Sequence, residues 1–351
     1  MKKQKSIIHS DLFITSCKLI STLIINSMKK WISMIVLSLS CTGIHAQDNL
    51  SSLFTDSSQA PHTPVIATFK SGELINARSN ETMHKHDLLF IVAHRFGDMA
   101  GSNGGAKTFF GMDNIYDVLI GFEYGISDRF TIGTGRDKGA PNGMNTDQMA
   151  LYYILLKYRL LQQTTDNHVP FAITLFARGA MSTMKPQDKE GSDANFQGFG
   201  DRLSAAAQVI IARKFSESFS LEIVPTYIRR DLVATSEMND LFALGIGGRL
   251  RITPHMAIVA DYFVPFRNAE STDYYKQQYD LHFYNPLGVG LEIETGGHIF
   301  HINFTNSTSI IESQFVPSTT TTWTKGQFRW GFNLSRTFTL GAHAKKEWHK
   351  E

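Results

Sequence analysis

The feature that most constrains this chain is a two-residue alternation of apolar and polar side chains, repeated in segments of about ten residues. Near the C-terminus, Phe328, Trp330, Phe332 and Leu334 fall on one parity, and Arg329, Gly331, Asn333 and Ser335 on the other. A helix would turn successive members of such a set by about 200° and leave them no common face, whereas a strand lines them up on one side. Val118, Ile120, Phe122 and Tyr124 repeat the pattern, as do Leu244, Ile246, Leu250 and Ile252, and then Leu287, Val289, Leu291 and Ile293. The spacing predicts twelve strands, at 87–96, 115–126, 130–136, 149–160, 169–180, 202–213, 219–230, 241–252, 256–266, 281–294, 298–306 and 326–338.

The connections alternate in length. Short ones (Ser127-Asp128-Arg129, 161–168, 214–218, Thr253-Pro254-His255, Thr295-Gly296-Gly297) follow even strands. Long ones (97–114, 137–148, 181–201, 231–240, 267–280, 309–325) follow odd strands. A soluble sandwich has no reason to collect its long loops at one end. An outer-membrane barrel does, with short periplasmic turns, long extracellular loops and an even strand number. The expected fold class is therefore all-β, a twelve-stranded antiparallel transmembrane barrel over 87–338. Both mature termini then fall on the periplasmic side.

Aromatics give a second check. With the more apolar parity outward, Tyr116, Tyr152, Tyr227, Tyr262, Phe304 and Phe328 fall towards the long loops. Tyr124, Phe130, Tyr158, Phe171, Phe300 and Phe338 fall towards the short turns. Two such bands suit rings that sit at lipid headgroups.

The N-terminal region reads as a leader. Met28-Lys29-Lys30 precedes an apolar run, Trp31–Leu39, of signal-peptide length, and a small residue, Ala46, precedes Gln47. The expected organisation is an upstream extension at 1–27, a signal peptide at 28–46 cleaved after Ala46, a polar segment at 47–86, the barrel, and a polar tail at 339–351. The 47–86 segment, with Pro61 and Pro64, is expected as a periplasmic tail or a partial plug. Lipoprotein processing at Cys41 is the rival, weakened by Ser38 three residues before it. The first 46 residues hold six Lys/Arg and one acid, so the 34 bases and 32 acids of the whole chain become 28 and 31 without them. The slight positive charge thus belongs to the leader, and no nucleic-acid partner is expected. Both cysteines, Cys17 and Cys41, lie there too, which leaves the mature chain without disulfide or thiolate chemistry.

Inward parity places Glu123, Glu222, Asp261, Glu292 and Glu294 with Lys157, Arg159, Arg178, Arg249, Arg251 and Arg329 in the lumen. A near balance of signs argues against a strongly ion-selective constriction and suits cross-strand ion pairs that narrow the bore. Inward glycines, among them Gly121, Gly125, Gly247 and Gly288, leave room for long side chains or a plug. The expected function is porin-like passage of small polar solutes. The alternative is a closed structural or binding barrel that meets an extracellular partner through its long loops.

Catalysis needs a nucleophile, a base and an orienting group. His301 with Ser307 and Ser309 is the nearest arrangement, and no His-x-Ser-Asn string accompanies it, so no enzyme is expected. The pair His84 and His86 and the periplasmic His168, His255 and His298 lack the three or four converging ligands of a metal site. Asp98 and Asp113 lack the ligand spacing of a calcium loop. No cofactor is expected. The first long loop, with Gly101-Ser102-Asn103-Gly104-Gly105, is expected to be able to fold inward. The expected partners are outer-membrane lipid, small polar solutes and the barrel-insertion machinery during biogenesis.

Three stretches carry a family resemblance: His94-Arg95-Phe96-Gly97-Asp98, Ile120-Gly121-Phe122-Glu123-Tyr124-Gly125-Ile126, and Gly331-Phe332-Asn333-Leu334-Ser335-Arg336-Thr337-Phe338. They resemble a domain-of-unknown-function family of exported β-barrel proteins of Gram-negative bacteria, over most of residues 65–340. The resemblance implies a barrel and an outer-membrane location, and no ligand or catalytic residue. Arg336 departs from the apolar outward parity, at a level where Arg can snorkel.

Overall fold

The computed structural model describes residues 62–140 and 149–340. The expected extension, signal peptide and cysteines, the start of the 47–86 segment and the tail beyond 340 lie outside the described residues. The strands are β1 (Asp87–Phe96), β2 (Ile115–Ser127), β3 (Phe130–Asp137), β4 (Leu151–Leu161), β5 (Ala172–Ser182), β6 (Leu203–Lys214), β7 (Phe219–Arg230), β8 (Asp240–Thr253), β9 (Met256–Pro265), β10 (Leu287–Thr295), β11 (His298–Thr305) and β12 (Arg329–Thr339). Each pairs antiparallel with its sequence neighbours. β1 closes the ring on β12, in register from Asp87 opposite Thr339 to Arg95 opposite Gly331. This is the closed twelve-stranded barrel that the alternation predicts.

The pleat sorts side chains by face. In β4, Leu151, Tyr153, Leu155, Lys157 and Arg159 are buried, while Tyr152, Ile154, Leu156 and Tyr158 between them are exposed on the outer wall. A large apolar surface outside and buried charge inside invert the arrangement of a soluble domain, as lipid contact requires. Arg336 stays outside near the short-turn end, its guanidinium 4.7 Å from the Phe338 ring centroid.

One predicted strand is too long. Residues 281–286 do not join β10, which starts after Pro286, a residue with no N–H to give to a ladder. A helix, α1 (Ala269–Tyr279), lies in the same loop. Asn268 caps it by accepting the Ser271 N–H at 2.9 Å, and Asp280 ends it in the left-handed region. The first long loop stays at the rim, where Met99 N–H bonds the Phe328 carbonyl. The loop between β11 and β12 is the one that turns inward. It carries α2 (Glu312–Ser318), and Ile310, Ile311, Phe315 and Val316 there are all buried.

Candidate functional site in the barrel lumen

The lumen is filled from both ends. Residues 62–86 enter at the short-turn end, where Val65 N–H bonds the Gln163 carbonyl. They leave at the same end, where the Thr82 hydroxyl bonds the Asp128 carbonyl. Between these points the chain doubles back. Ser79 N–H bonds Gly72 O at 3.1 Å, and Leu74 N–H bonds Ala77 O at 2.9 Å. We call this excursion the inner hairpin.

Its tip is fixed by one carboxylate. Asp261 Oδ2 on β9 accepts the consecutive N–H groups of Ile75 (2.9 Å), Asn76 (2.6 Å) and Ala77 (3.0 Å), and Oδ1 accepts the Asn76 side chain at 2.7 Å. Three donors converging on one anion form a nest, which satisfies both the turn and the buried charge. Arg95 of β1 adds a bond to the Ile75 carbonyl at 2.8 Å. The wall makes room for the tip with glycine: a Cβ on Gly288 would stand 2.7 Å from Asn76 and Ile75, and one on Gly247 2.5 Å from Leu74.

Below the tip, Arg78 is buried among three carboxylates: Glu123 at 2.9 Å, Glu73 at 3.3 Å and Glu312 at 3.5 Å. Burial opposes its charge, but Glu73, Glu123 and Glu312 outweigh that and raise its pKa above the ordinary value. Glu312 belongs to α2 and is also held by Arg178 of β5 at 2.8 Å. The two fillings therefore meet at Arg78 and Glu312. Lys157 donates to the Gly72 and Glu81 carbonyls at 2.9 and 3.1 Å, and the Asn333 amide to Glu73 at 3.0 Å. From above, Ile310 N–H bonds Asp117 on β2 at 2.9 Å, and Phe315 packs edge-on to Phe263 with centroids 5.2 Å apart.

Of the eleven charged residues placed in the lumen by parity, Glu123, Lys157, Arg159, Arg178, Glu222, Arg249, Asp261, Glu292 and Arg329 are buried inside the barrel. Arg251 and Glu294 are half-buried near the short turns, Glu294 with Lys70 at 3.3 Å. Arg249 pairs with Glu292 at 2.7 Å, and Glu292 also holds His301 at 3.2 Å. Arg159 reaches Glu81 at 3.4 Å. Glu222 lies beside Gly247. Arg329 bonds Asp98 at 2.7 Å. Asp98 sits in the first long loop, where burial raises its pKa and Arg329 pulls it back. Ser307 bonds Thr319, while His301 is taken by Glu292. Among the described residues no three or more His, Cys, Asp or Glu side chains are grouped to hold a metal ion.

Parity reasoning missed Arg95, Asp117 and Asp137, which stand at inward positions and are buried; counting every inward charge would have found the first two, and Asp137 lies one residue past the predicted end of its strand. It also missed Glu73, Arg78 and Glu312, which lie on segments with no period to read.

A closed antiparallel ring with an apolar outer wall and a charged interior defines a membrane-bound β-barrel. The chain belongs to the membrane bound beta barrel domain family DUF5777, a domain of unknown function, whose model matches residues 69–338. That is the family type the three sequence stretches resemble. No curated protein matches the chain. Among solved structures it is similar to an outer membrane channel from Pseudomonas putida F1 (13% identity, TM-score 0.43, 74% of this chain and 98% of that one). It is also similar to the KdgM porin (6%, 0.41, 72% and 99%) and to the outer membrane protein Omp33 of Acinetobacter baumannii (8%, 0.34, 72% and 99%).

Proposed function

We propose that the protein is a porin-like outer-membrane conduit for small polar solutes, closed at rest by the inner hairpin and the inward loop. In this reading the long loops are extracellular, the ends of the barrel chain are periplasmic, and lipid and the insertion machinery are its obligatory partners. It has no catalytic role. One observation carries the reading: the inner hairpin adds no strand to the ring. The ring closes through its twelve strand pairings without it, so it can leave the lumen without opening the wall. What it would expose is lined by charges of both signs, a surface suited to polar, weakly charged solutes.

Planar-bilayer recording tests this. Wild type is expected to show long closed periods with discrete conductance steps. Arg78→Ala leaves Glu73, Glu123 and Glu312 facing one another without their cation, and is expected to raise the open fraction about tenfold. Membranes that stay sealed at all voltages with both proteins would overturn the proposal.

A second reading is a closed barrel that binds an extracellular partner through its loops. The long loops interlock: Thr235 N–H bonds Gly191 O, and the Tyr275 hydroxyl bonds Thr235 O at 2.8 Å. The 309–325 loop, expected on that surface, turns into the lumen instead. Deleting 181–201 is then expected to abolish partner recovery from a folded barrel. Recovery that survives the deletion removes this reading.

A further inference from the structure

The wall holds the tip of the inner hairpin much as a binding site holds a small molecule. Among the described residues, every hydrogen bond to Asp261 comes from the tip: the N–H groups of Ile75, Asn76 and Ala77 on Oδ2, and the Asn76 amide on Oδ1. Arg95 takes hold from the other end. Its Nη2 donates to the Ile75 carbonyl at 2.8 Å, while Nη1 is engaged by Asn303 of β11 at 2.7 Å. Ile75 is thus gripped by its own N–H and its own C=O, with a carboxylate on one and a guanidinium on the other. Both wall residues are buried.

The fit is incomplete at Arg95. Its Nε is buried and has no partner among the described residues. Nε and Nη2 form the side-on fork that suits the two oxygens of a carboxylate, and the single Ile75 carbonyl fills one prong only. At Asp261 the acceptor Oδ2 takes three amide N–H groups, the number of donors an ammonium carries. A free α-amino acid has the same N–Cα–C–O frame as Ile75. It puts an ammonium where the chain has an N–H and a carboxylate where the chain has a carbonyl, so both contacts become charge-assisted and the empty prong is filled. The side-chain position is shaped as well. Ile75 is buried in the apolar cluster that holds Val259 and Phe263, and Gly288 leaves it room, since a Cβ there would stand 2.7 Å from Ile75 Cγ2.

We propose that Asp261 and Arg95 form a binding site for a zwitterionic L-α-amino acid with a branched aliphatic side chain, and that the hairpin tip occupies it as a tethered stand-in. The ammonium sits on Asp261, the carboxylate on Nε and Nη2 of Arg95, and the side chain beside Gly288. The site names a solute class for the proposed conduit and rests on that reading in one respect, that the hairpin leaves the lumen. A dipeptide sets its two charges further apart by about 3.5 Å, the length of one residue, and does not match the pair.

Hydrogen exchange on the full wild-type barrel tests it without any variant. L-Isoleucine at about 20 mM competes with the tip and is expected to speed exchange of 72–79 about fivefold. The amine left by decarboxylating isoleucine and the acid left by deaminating it each satisfy one wall group, and both are expected to leave exchange unchanged, as is isoleucyl-isoleucine. Equilibrium dialysis with labelled L-isoleucine gives a second readout. Arg78→Ala loosens the hairpin without touching Asp261 or Arg95 and is expected to bind about tenfold more tightly than wild type. Adding Asp261→Asn to it is expected to abolish binding. Exchange that ignores isoleucine, or that answers the amine, the acid or the dipeptide equally, would overturn the proposal. If Arg78→Ala conducts and isoleucine has no effect, the site falls and the conduit stands. If membranes stay sealed with both proteins and isoleucine still frees 72–79, the site stands and the conduit falls.

Discussion

The two segments that fill the lumen are held by different balances of anchors. The inner hairpin buries Phe69, Leu74, Ile75 and Ala77 and adds a dense set of charge and hydrogen-bond contacts: three amides on Asp261, Arg78 among three carboxylates, Lys157 on two carbonyls. The inward loop rests mainly on Ile310, Ile311, Phe315 and Val316, which join the two apolar clusters of the barrel interior. Buried polar anchors fix position sharply and fail abruptly, because a half-satisfied network costs more than none. Apolar packing loses strength in proportion to the surface removed. The hairpin should therefore release as a unit, and the loop should loosen by degrees.

The sharpest way to break this contrast is Asp261→Ala, which strips the hairpin tip of its anion and leaves buried amides unpaired. A loss of about 3–5 kcal/mol of hairpin docking is expected, seen as hydrogen exchange of 72–79 rising together while β9 stays protected. Hairpin amides that remain slow would show that something other than this anchor holds the tip. Next in size is Phe315→Ala, expected to cost about 3 kcal/mol of loop docking. Exchange should rise in α2 with little change at the hairpin tip; an equal loss at 72–79 would erase the distinction between the two fillings.

Gly288→Val tests space rather than charge. Its Cβ would press on Asn76 and Ile75, and overpacking of this kind costs about 1–3 kcal/mol. More frequent openings in bilayer recordings are expected, and an unchanged closed time would mean that the tip yields elsewhere. The smallest effect belongs to the loop clasp at Glu237, which pairs with Arg230 and Arg267. Burial alone would raise its pKa, but the two arginines outweigh that and hold it below the ordinary value. A depressed carboxyl contributes stability above its unfolded pKa of about 4.3 and loses it as pH falls through the folded value. Protection factors over 231–239, taken against the intrinsic amide exchange rate at each pH, should therefore be high at neutral pH and fall in acid, and Glu237→Gln should flatten that profile.

The wall was readable because each strand faces two solvents. Lipid outside and polar filling inside impose a period of two, which survives even where β4 turns Leu151, Tyr153 and Leu155 inward. Bounds failed where propensity and period conflicted with a missing donor, as at Pro286. The filling was less legible. Phe69, Leu74 and Ile75 occupy a lumen, where no repeating face is needed, so their apolar character carries no period. The inward loop was misplaced for a related reason. Its apolar residues read as a short patch in a polar stretch, and nothing local distinguishes a patch that meets the bore from one at the rim. The glycine-rich first loop, expected as the inward candidate, keeps Phe109, Phe110 and Met112 exposed instead of burying them in the bore.

The contact between Arg78 and Glu312 has a thermodynamic consequence. The hairpin and the inward loop arrive from opposite faces of the barrel and share one ion pair, so their positions are linked equilibria. A ligand that prefers the displaced loop must favour departure of the hairpin by the same factor by which that departure tightens the ligand. A force on the chain at the short-turn end would thus be felt as altered affinity at the long-loop end, with no moving wall between them.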